Sequence, residues 1–204
     1  MAESPSIASV LRTRICLMQG SAEDTILHEG MIATEFGVSR TPIRQVLQKL
    51  AYERLVETRS GVGTIVSPLY PEHRARDLLV LKALFRSAAD CAGEAGPEDS
   101  LADALADRLE TAAQATEWTG SDAQGYLDMR SELLEIASDA APDAILGDAM
   151  RAAHWRHIRW RMADHAWKDE GAAARLTALF RRAAASARSD GLAGFYGCLS
   201  DAEL

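Results

Sequence analysis

The stretch Gly37-Val38-Ser39-Arg40-Thr41-Pro42 constrains this chain more than any other. Gly37 supplies the positive φ that ends one helix and turns the backbone. Ser39 is suited to cap the helix that follows, and Pro42 falls in its first turn, where a missing N–H costs nothing. Ile43, Val46, Leu47 and Leu50 then recur at helical spacing and give that helix a buried stripe. Arg40, Thr41, Arg44 and Lys49 fall off the stripe and gather toward the helix start. A short helix, a glycine turn and a second helix with a polar front is the arrangement that presents side chains to a major groove. Leu55–Arg59 and Thr64–Val66 read as two short β-branched strands, with Ser60-Gly61-Val62-Gly63 as the hairpin tip. The segment is therefore expected to be a winged helix-turn-helix.

Upstream, Ile7, Val10, Leu11, Ile15 and Met18 trace a first helix over 6–19, and Met31, Ile32 and Phe36 a second over 28–36. Residues 20–24 form the loop between them, and the third helix spans 39–53. Ser67-Pro68-Leu69-Tyr70-Pro71 is a linker, because two prolines within it disfavour helix. Beyond it the pattern is helical throughout. Stripes run over about 72–92 (Leu78, Leu81, Phe85, Ala88), to about 118 (Leu101, Leu105, Leu109), and from Gly120-Ser121-Asp122 through Leu133, Leu134 and Ala137. A long helix follows from Ala141-Pro142 to about Trp167, then one after Gly171 and a last one after Asp190-Gly191. The breaks fall at residues 93–97 and at the glycines just named. About six helices with short loops read as an antiparallel bundle. The fold class is mainly α: an N-terminal winged helix-turn-helix over 1–67, a linker over 68–71 and an all-helical domain over 72–204.

Charge supports that division. The net charge is −8, which by itself argues against nucleic acid. Residues 1–70, however, balance seven basic against seven acidic side chains, and 38–59 hold five basic against two acidic. The acidic excess lies entirely in the helical part. A locally basic reading head on an acidic body suits a specific DNA binder, since the body repels other phosphates. No apolar run is long enough for a membrane span, and the N-terminus has no secretory pattern. Cys16, Cys91 and Cys198 are widely spaced and odd in number, as expected of reduced thiols in a cytoplasm. There is no Gly-x-Ser-x-Gly, phosphate-binding glycine loop or His-Glu-x-x-His, so an enzyme is not expected.

Val38-Ser39-Arg40-Thr41-Pro42-Ile43-Arg44, then Leu50, Leu55-Val56 and the wing Gly61-Val62-Gly63-Thr64, resemble the DNA-binding domain of the GntR family of bacterial transcription regulators. The resemblance covers about residues 6–67. It implies that Arg40 and Arg44 contact operator bases or phosphates, that Ser39 and Thr41 contact the DNA backbone, and that Gly61 approaches the minor groove. Lys49 is a further DNA-contact candidate. The family usually carries an arginine where this chain has Gly30, so one operator contact is missing or replaced.

The head followed by about six helices is similar to the FadR-type, or FCD, branch of that family. The resemblance implies a helical domain that binds a small effector, commonly an organic acid, and mediates dimerisation. Many such domains hold a divalent metal with one Asp and three His, beginning with Asp-x-x-x-His on one helix. Here the matching stretch is Asp128-Met129-Arg130-Ser131-Glu132, and the later His positions fall near Phe180 and Cys198. Carboxylates without imidazoles do not build a tight transition-metal site, so neither a metal nor a cofactor is expected. Asp128, Glu132, Glu135 and Asp139 share one helix face. Arg151, His154, His157, Arg161, His165 and Lys168 form a basic counterpart on the long helix. Two readings of these stripes stand: solvated faces ion-paired across the bundle, or an effector pocket lined by Asp128, Glu132, His157 and Arg161, in which His157 and Arg161 hold a carboxylate and Trp118, Trp155 or Trp160 forms the apolar wall.

The expectation is a cytoplasmic, homodimeric transcription regulator, a repressor by family default, on an inverted-repeat operator of double-stranded DNA, with no membrane association. The alternative is the same head on a helical interaction module without an effector.

Overall fold

The computed structural model describes residues 6–18, 25–95, 99–115 and 122–202. The expected loop 20–24, Trp118 and the Gly120-Ser121 start signal lie outside the described residues. Helix α1 spans Ile7–Leu17, with the Ser6 side chain accepting from the Ser9 N–H, and buries Leu11, Ile15 and Cys16. Helix α2 spans Glu29–Phe36 and ends on Gly37, whose φ of 65° is the left-handed cap that the glycine allows. Helix α3 spans Arg40–Tyr52 and buries Ile43, Leu47 and Leu50. Ser39 occupies its N-cap position with extended backbone, but makes no side-chain capping bond.

Strand β1 (Val56–Arg59) pairs antiparallel with β2 (Gly63–Val66), Val56 opposite Val66 and Arg59 opposite Gly63. The sequence reading omits a third edge. Ahead of α2, Leu27 donates to the Thr64 carbonyl at 2.8 Å and Val66 donates to the Thr25 carbonyl at 2.9 Å, and Ile26 bridges Ile65. This edge pins the wing against the entry to α2.

A 3-10 turn at Pro71–His73 leads from the linker into α4 (Arg74–Ala95), followed by α5 (Asp99–Ala115), α6 (Ala123–Asp139), α7 (Ala144–Ala163) and α8 (Ala172–Asp201). Helix α4 continues through Gly93, so the expected break there is later. The expected helix to Trp167 also stops short: α7 ends at Ala163, His165 takes a positive φ of 57°, and Trp167 lies in a separate 3-10 turn. The break before the last segment lies within α8, where Asp190 and Gly191 leave helical geometry, Gly191 at φ 64° and ψ −154°. That region is open essentially to glycine alone. Helix α8 packs on α4 and α5, α6 on α7, α7 also on α4, and α1 of the head against α6 and α7. Phe85, Tyr126, Phe180, Phe195 and Tyr196 fill the bundle core, and the Tyr196 hydroxyl donates to the Ala137 carbonyl at 2.8 Å. No helix among the described residues is long and apolar enough to cross a membrane.

Candidate nucleic-acid interface

Helix α3 buries one side and offers the other to solvent. Ser39, Arg40, Thr41, Arg44 and Lys49 are exposed, as is Gly61 at the wing tip, where φ is 76°. Gln45 and Gln48 are exposed on α3 as well, and the sequence reading passes over them. Their signal is spacing: Gln48 lies one turn beyond Arg44, on the same face. A groove of about 440 Å³ between α3 and the wing is lined by His28, Glu29, Arg44, Gln48, Thr58 and Thr64, among others.

The two arginines are positioned differently. Arg44 makes a fork-to-fork pair with Glu29 of α2, Nε to Oε1 at 3.2 Å and Nη2 to Oε2 at 2.9 Å. The pair holds the Glu29 carboxyl below the usual carboxylate range, first through these hydrogen bonds, and raises Arg44 above its ordinary value for the same reason. The Arg44 side chain keeps 63% of its surface exposed, so the guanidinium is oriented yet reachable. Arg40 lies across the start of α2. A Cβ built on Gly30 would stand 3.2 Å from Arg40 Nη2 and 3.6 Å from its Cζ. A side chain at this position would ask the Arg40 head group to shift by a few tenths of an ångström.

The head is tied to what supports it. Arg14 of α1 pairs with Glu35 of α2. Arg12 of α1 pairs bidentately with Glu53 at the end of α3, at 2.8 and 2.5 Å, and lies over the Trp155 ring of α7 at 5.7 Å. Arg159 of α7 donates to the Ser67 carbonyl at 2.6 Å, fixing the start of the linker.

In the bundle, the acidic stripe is ion-paired across helices. Arg108 reaches Glu132 and Asp139, both at 3.3 Å, and Arg151 reaches Glu135 and, at 3.1 Å, Asp139. Asp128 is exposed and accepts from Gln124 at 2.7 Å. The basic stripe is not one solvated face, because His154 and His157 are buried. Burial first, then the Arg130 charge, pushes His154 down to about 3. The same two causes, followed by His154, Arg161 and Arg74, hold His157 well below its ordinary value. Both rings are neutral. Arg161 lines a cavity of about 830 Å³ with Tyr126, Arg130, Arg175 and Arg182, whereas Asp128, Glu132 and His157 lie outside that lining. Trp155 and Trp160 do not line it either. Of the four, Arg161 lines this cavity, together with Arg130, which the sequence reading leaves unassigned. Among the described residues no three His, Cys, Asp or Glu side chains are placed to hold a metal ion.

Comparison with known proteins places the head. Residues 5–66 match the model of the bacterial regulatory proteins of the gntR family. A 60-residue stretch is 37% identical to the mannosyl-D-glycerate transport/metabolism system repressor MngR of Escherichia coli K12, covering 29% of this chain and 25% of that protein. The chain thus spans about a quarter of that relative's length. Over nearly the whole chain the fold is similar to E. coli McbR/YncC, with TM-score 0.61, 16% identity, and coverage of 96% of this chain and 90% of that one. It is also similar to a protein described as a GntR transcriptional regulator from Rhodococcus sp. RHA1, with TM-score 0.58, 16% identity, and coverage of 95% and 89%.

Proposed function

We propose, from the premise that this is a DNA-binding transcription regulator with a gntR-family head, that the chain is a ligand-controlled repressor acting as a homodimer on an inverted-repeat operator. The observation that carries the reading is the front of α3. Arg40 and Arg44 stand exposed at its N-terminal end, Arg44 already oriented by Glu29, beside a wing held in register by the strand ahead of α2. An arginine so placed bonds guanine bidentately or holds phosphate. Ser39, Thr41, Lys49 and the wing-tip Gly61 complete the contact set. The assignment divides the chain into a head (1–67), a linker (68–71) and an effector-binding and dimerisation domain (72–204) of the FCD type, working in the cytoplasm. Leu79 and Val80 on the outer face of α4 are exposed and suit a second copy of the chain. Arg161 is the effector residue that the cavity supports best, with an organic acid as ligand.

Converting both Arg40 and Arg44 to alanine tests the reading. Retention on duplexes carrying the chain's own operator should be lost at moderate ionic strength, and the slope of log K against log salt should flatten by about one per phosphate contact removed. Unchanged retention and slope would refute the assignment of α3 as the reading helix.

A further inference from the structure

Among the described residues, no carboxylate pairs with Arg130 in the cavity between α6, α7 and α8. Arg130 is 5% exposed. Among the described residues its only hydrogen-bond partner is the Tyr126 hydroxyl, to which Nε donates at 3.1 Å, and its buried Nη1 has none. Arg161 converges on the same oxygen, Nε at 3.2 Å. Two guanidinium groups thus meet at one phenol. A buried guanidinium left unpaired is costly, and the ordinary remedies are a carboxylate or a hydrogen-bonded anion. Nearby carboxylates serve Arg130 poorly. Asp169 sits 3.8 Å from Arg161 and 3.9 Å from Arg175, and among the described residues of the lining Asp201 is the one acidic side chain.

The cationic lining extends outward from this point. Arg175 and Arg182 stand seven residues apart on α8, hence about 10 Å along one helix face. Leu176 and Leu179 supply apolar wall near them. Among the described residues, four arginines and one aspartate line this cavity of about 830 Å³, within the range that encloses a small molecule.

We propose that this cavity is the binding site of a small organic dianion held directly on guanidinium groups. One acidic group sits deep against Arg130 and Arg161, and the second lies toward Arg175 and Arg182. The proposal deepens the effector reading above and rests on it for its regulatory meaning, while the binding itself is independent of DNA. Arginine forks suit planar carboxylates, which accept two parallel N–H bonds from one fork. The anion completes the pairing of a group that is already buried, so binding stabilises the folded bundle.

The test uses the full chain and three probes at matched ionic strength: acetate, glutarate and inorganic phosphate. Glutarate should raise the melting temperature and bind at least about tenfold more tightly than acetate or phosphate, since only it engages both ends of the cavity. Arg161→Gln, at a partly exposed position, should remove the response. Arg130→Met should remove it too, while the unliganded protein gains stability by losing an unpaired charge. Arg175→Ala with Arg182→Ala should reduce glutarate to the level of acetate. Equal responses to all three probes, no response in the wild-type chain, or a full response in Arg161→Gln would overturn the proposal. Operator affinity measured in parallel separates the two readings. Glutarate binding that leaves DNA affinity unchanged upholds the site and removes the effector role, and absence of binding with intact operator recognition overturns the site alone.

Discussion

The joint between head and bundle offers the strongest quantitative test. Arg12 and Glu53 are paired bidentately with side chains only 13% and 4% exposed. The same guanidinium lies over Trp155. Replacing Arg12 with Met keeps most of the aliphatic stem and deletes the charge. It leaves the Glu53 carboxylate buried without a partner, a loss of about 3–5 kcal/mol. The lost cation–π contact adds about 0.5–1 kcal/mol. The charge-removing partner, Glu53→Gln, strands the guanidinium instead. The double variant removes both charges and should cost far less than the two singles combined, leaving a coupling energy of at least about 2 kcal/mol. Urea unfolding followed by circular dichroism and tryptophan fluorescence on the wild type, both singles and the double measures the cycle. Because Glu53 caps α3, Arg12→Met should also weaken operator retention although Arg12 is on a different helix. If Arg12→Met costs under about 1 kcal/mol, or the cycle is additive, the buried pair is not what holds the head.

Two further outcomes follow from particular residues. His154 and His157 are held below their ordinary values, so above about pH 6.5 both folded and unfolded states are neutral and neither ring affects stability. Below that, the unfolded chain takes up protons that the folded one refuses. Stability should therefore fall by about 1.4 kcal/mol per pH unit for each ring, His154 continuing to about 3. Urea midpoints at pH 7, 6 and 5 check this, and His154→Leu should halve the dependence; a flat profile from 6.5 to 5 would contradict the neutral rings. Glu29 and Glu35 are held below the usual carboxylate range, first by their hydrogen bonds to Arg44 and Arg14. Gly30→Arg should tighten operator binding at low salt and steepen the salt slope by about one. The new Cβ meets only the flexible end of Arg40, which can move aside, and a fluorescence titration with no change would show that no phosphate lies near α2.

Much of this was legible because it is local. The stripe of Ile43, Leu47 and Leu50, the left-handed Gly37 and the glycine break at Asp190-Gly191 each depend on a few neighbouring residues. The edge at Thr25–Leu27 was not, because three residues paired to β2 leave no periodicity, and only a partner distant in sequence defines them. The end of α7 escaped for a related reason. His165 and Trp167 continue the helical spacing, and nothing in the sequence marks a non-glycine residue as left-handed. Asp128 and Glu132, chosen from a motif register and not from the helix's own period, lie outside the lining of the arginine cavity. Leu133, Leu134 and Ala137 were read as the stripe of this helix, and the residue three, four and seven positions before them must share that face. The residue is Arg130, and its burial was there to be read. His154 and His157 misled in the opposite direction, because a sequence does not state whether an imidazole carries its proton.

The proposed anion site would bear on DNA through one helix, because both anchors of the head and the cavity arginine belong to α7. Within α7, Trp155 supports Arg12 and through it Glu53 at the end of α3. Arg159 holds the Ser67 carbonyl at the start of the linker, and Arg161 faces the cavity. Six residues of straight helix separate the first from the last, about 9 Å. A packed helix shifts as a body more readily than it bends, so an anion drawing on Arg161 acts on both anchors together. Position between two sites is not itself coupling. The Arg12/Glu53 cycle repeated with glutarate bound supplies the missing quantity: a coupling energy that changes on ligation makes the joint part of the switch, and one that stays constant makes it a fixed hinge around which some other element must move.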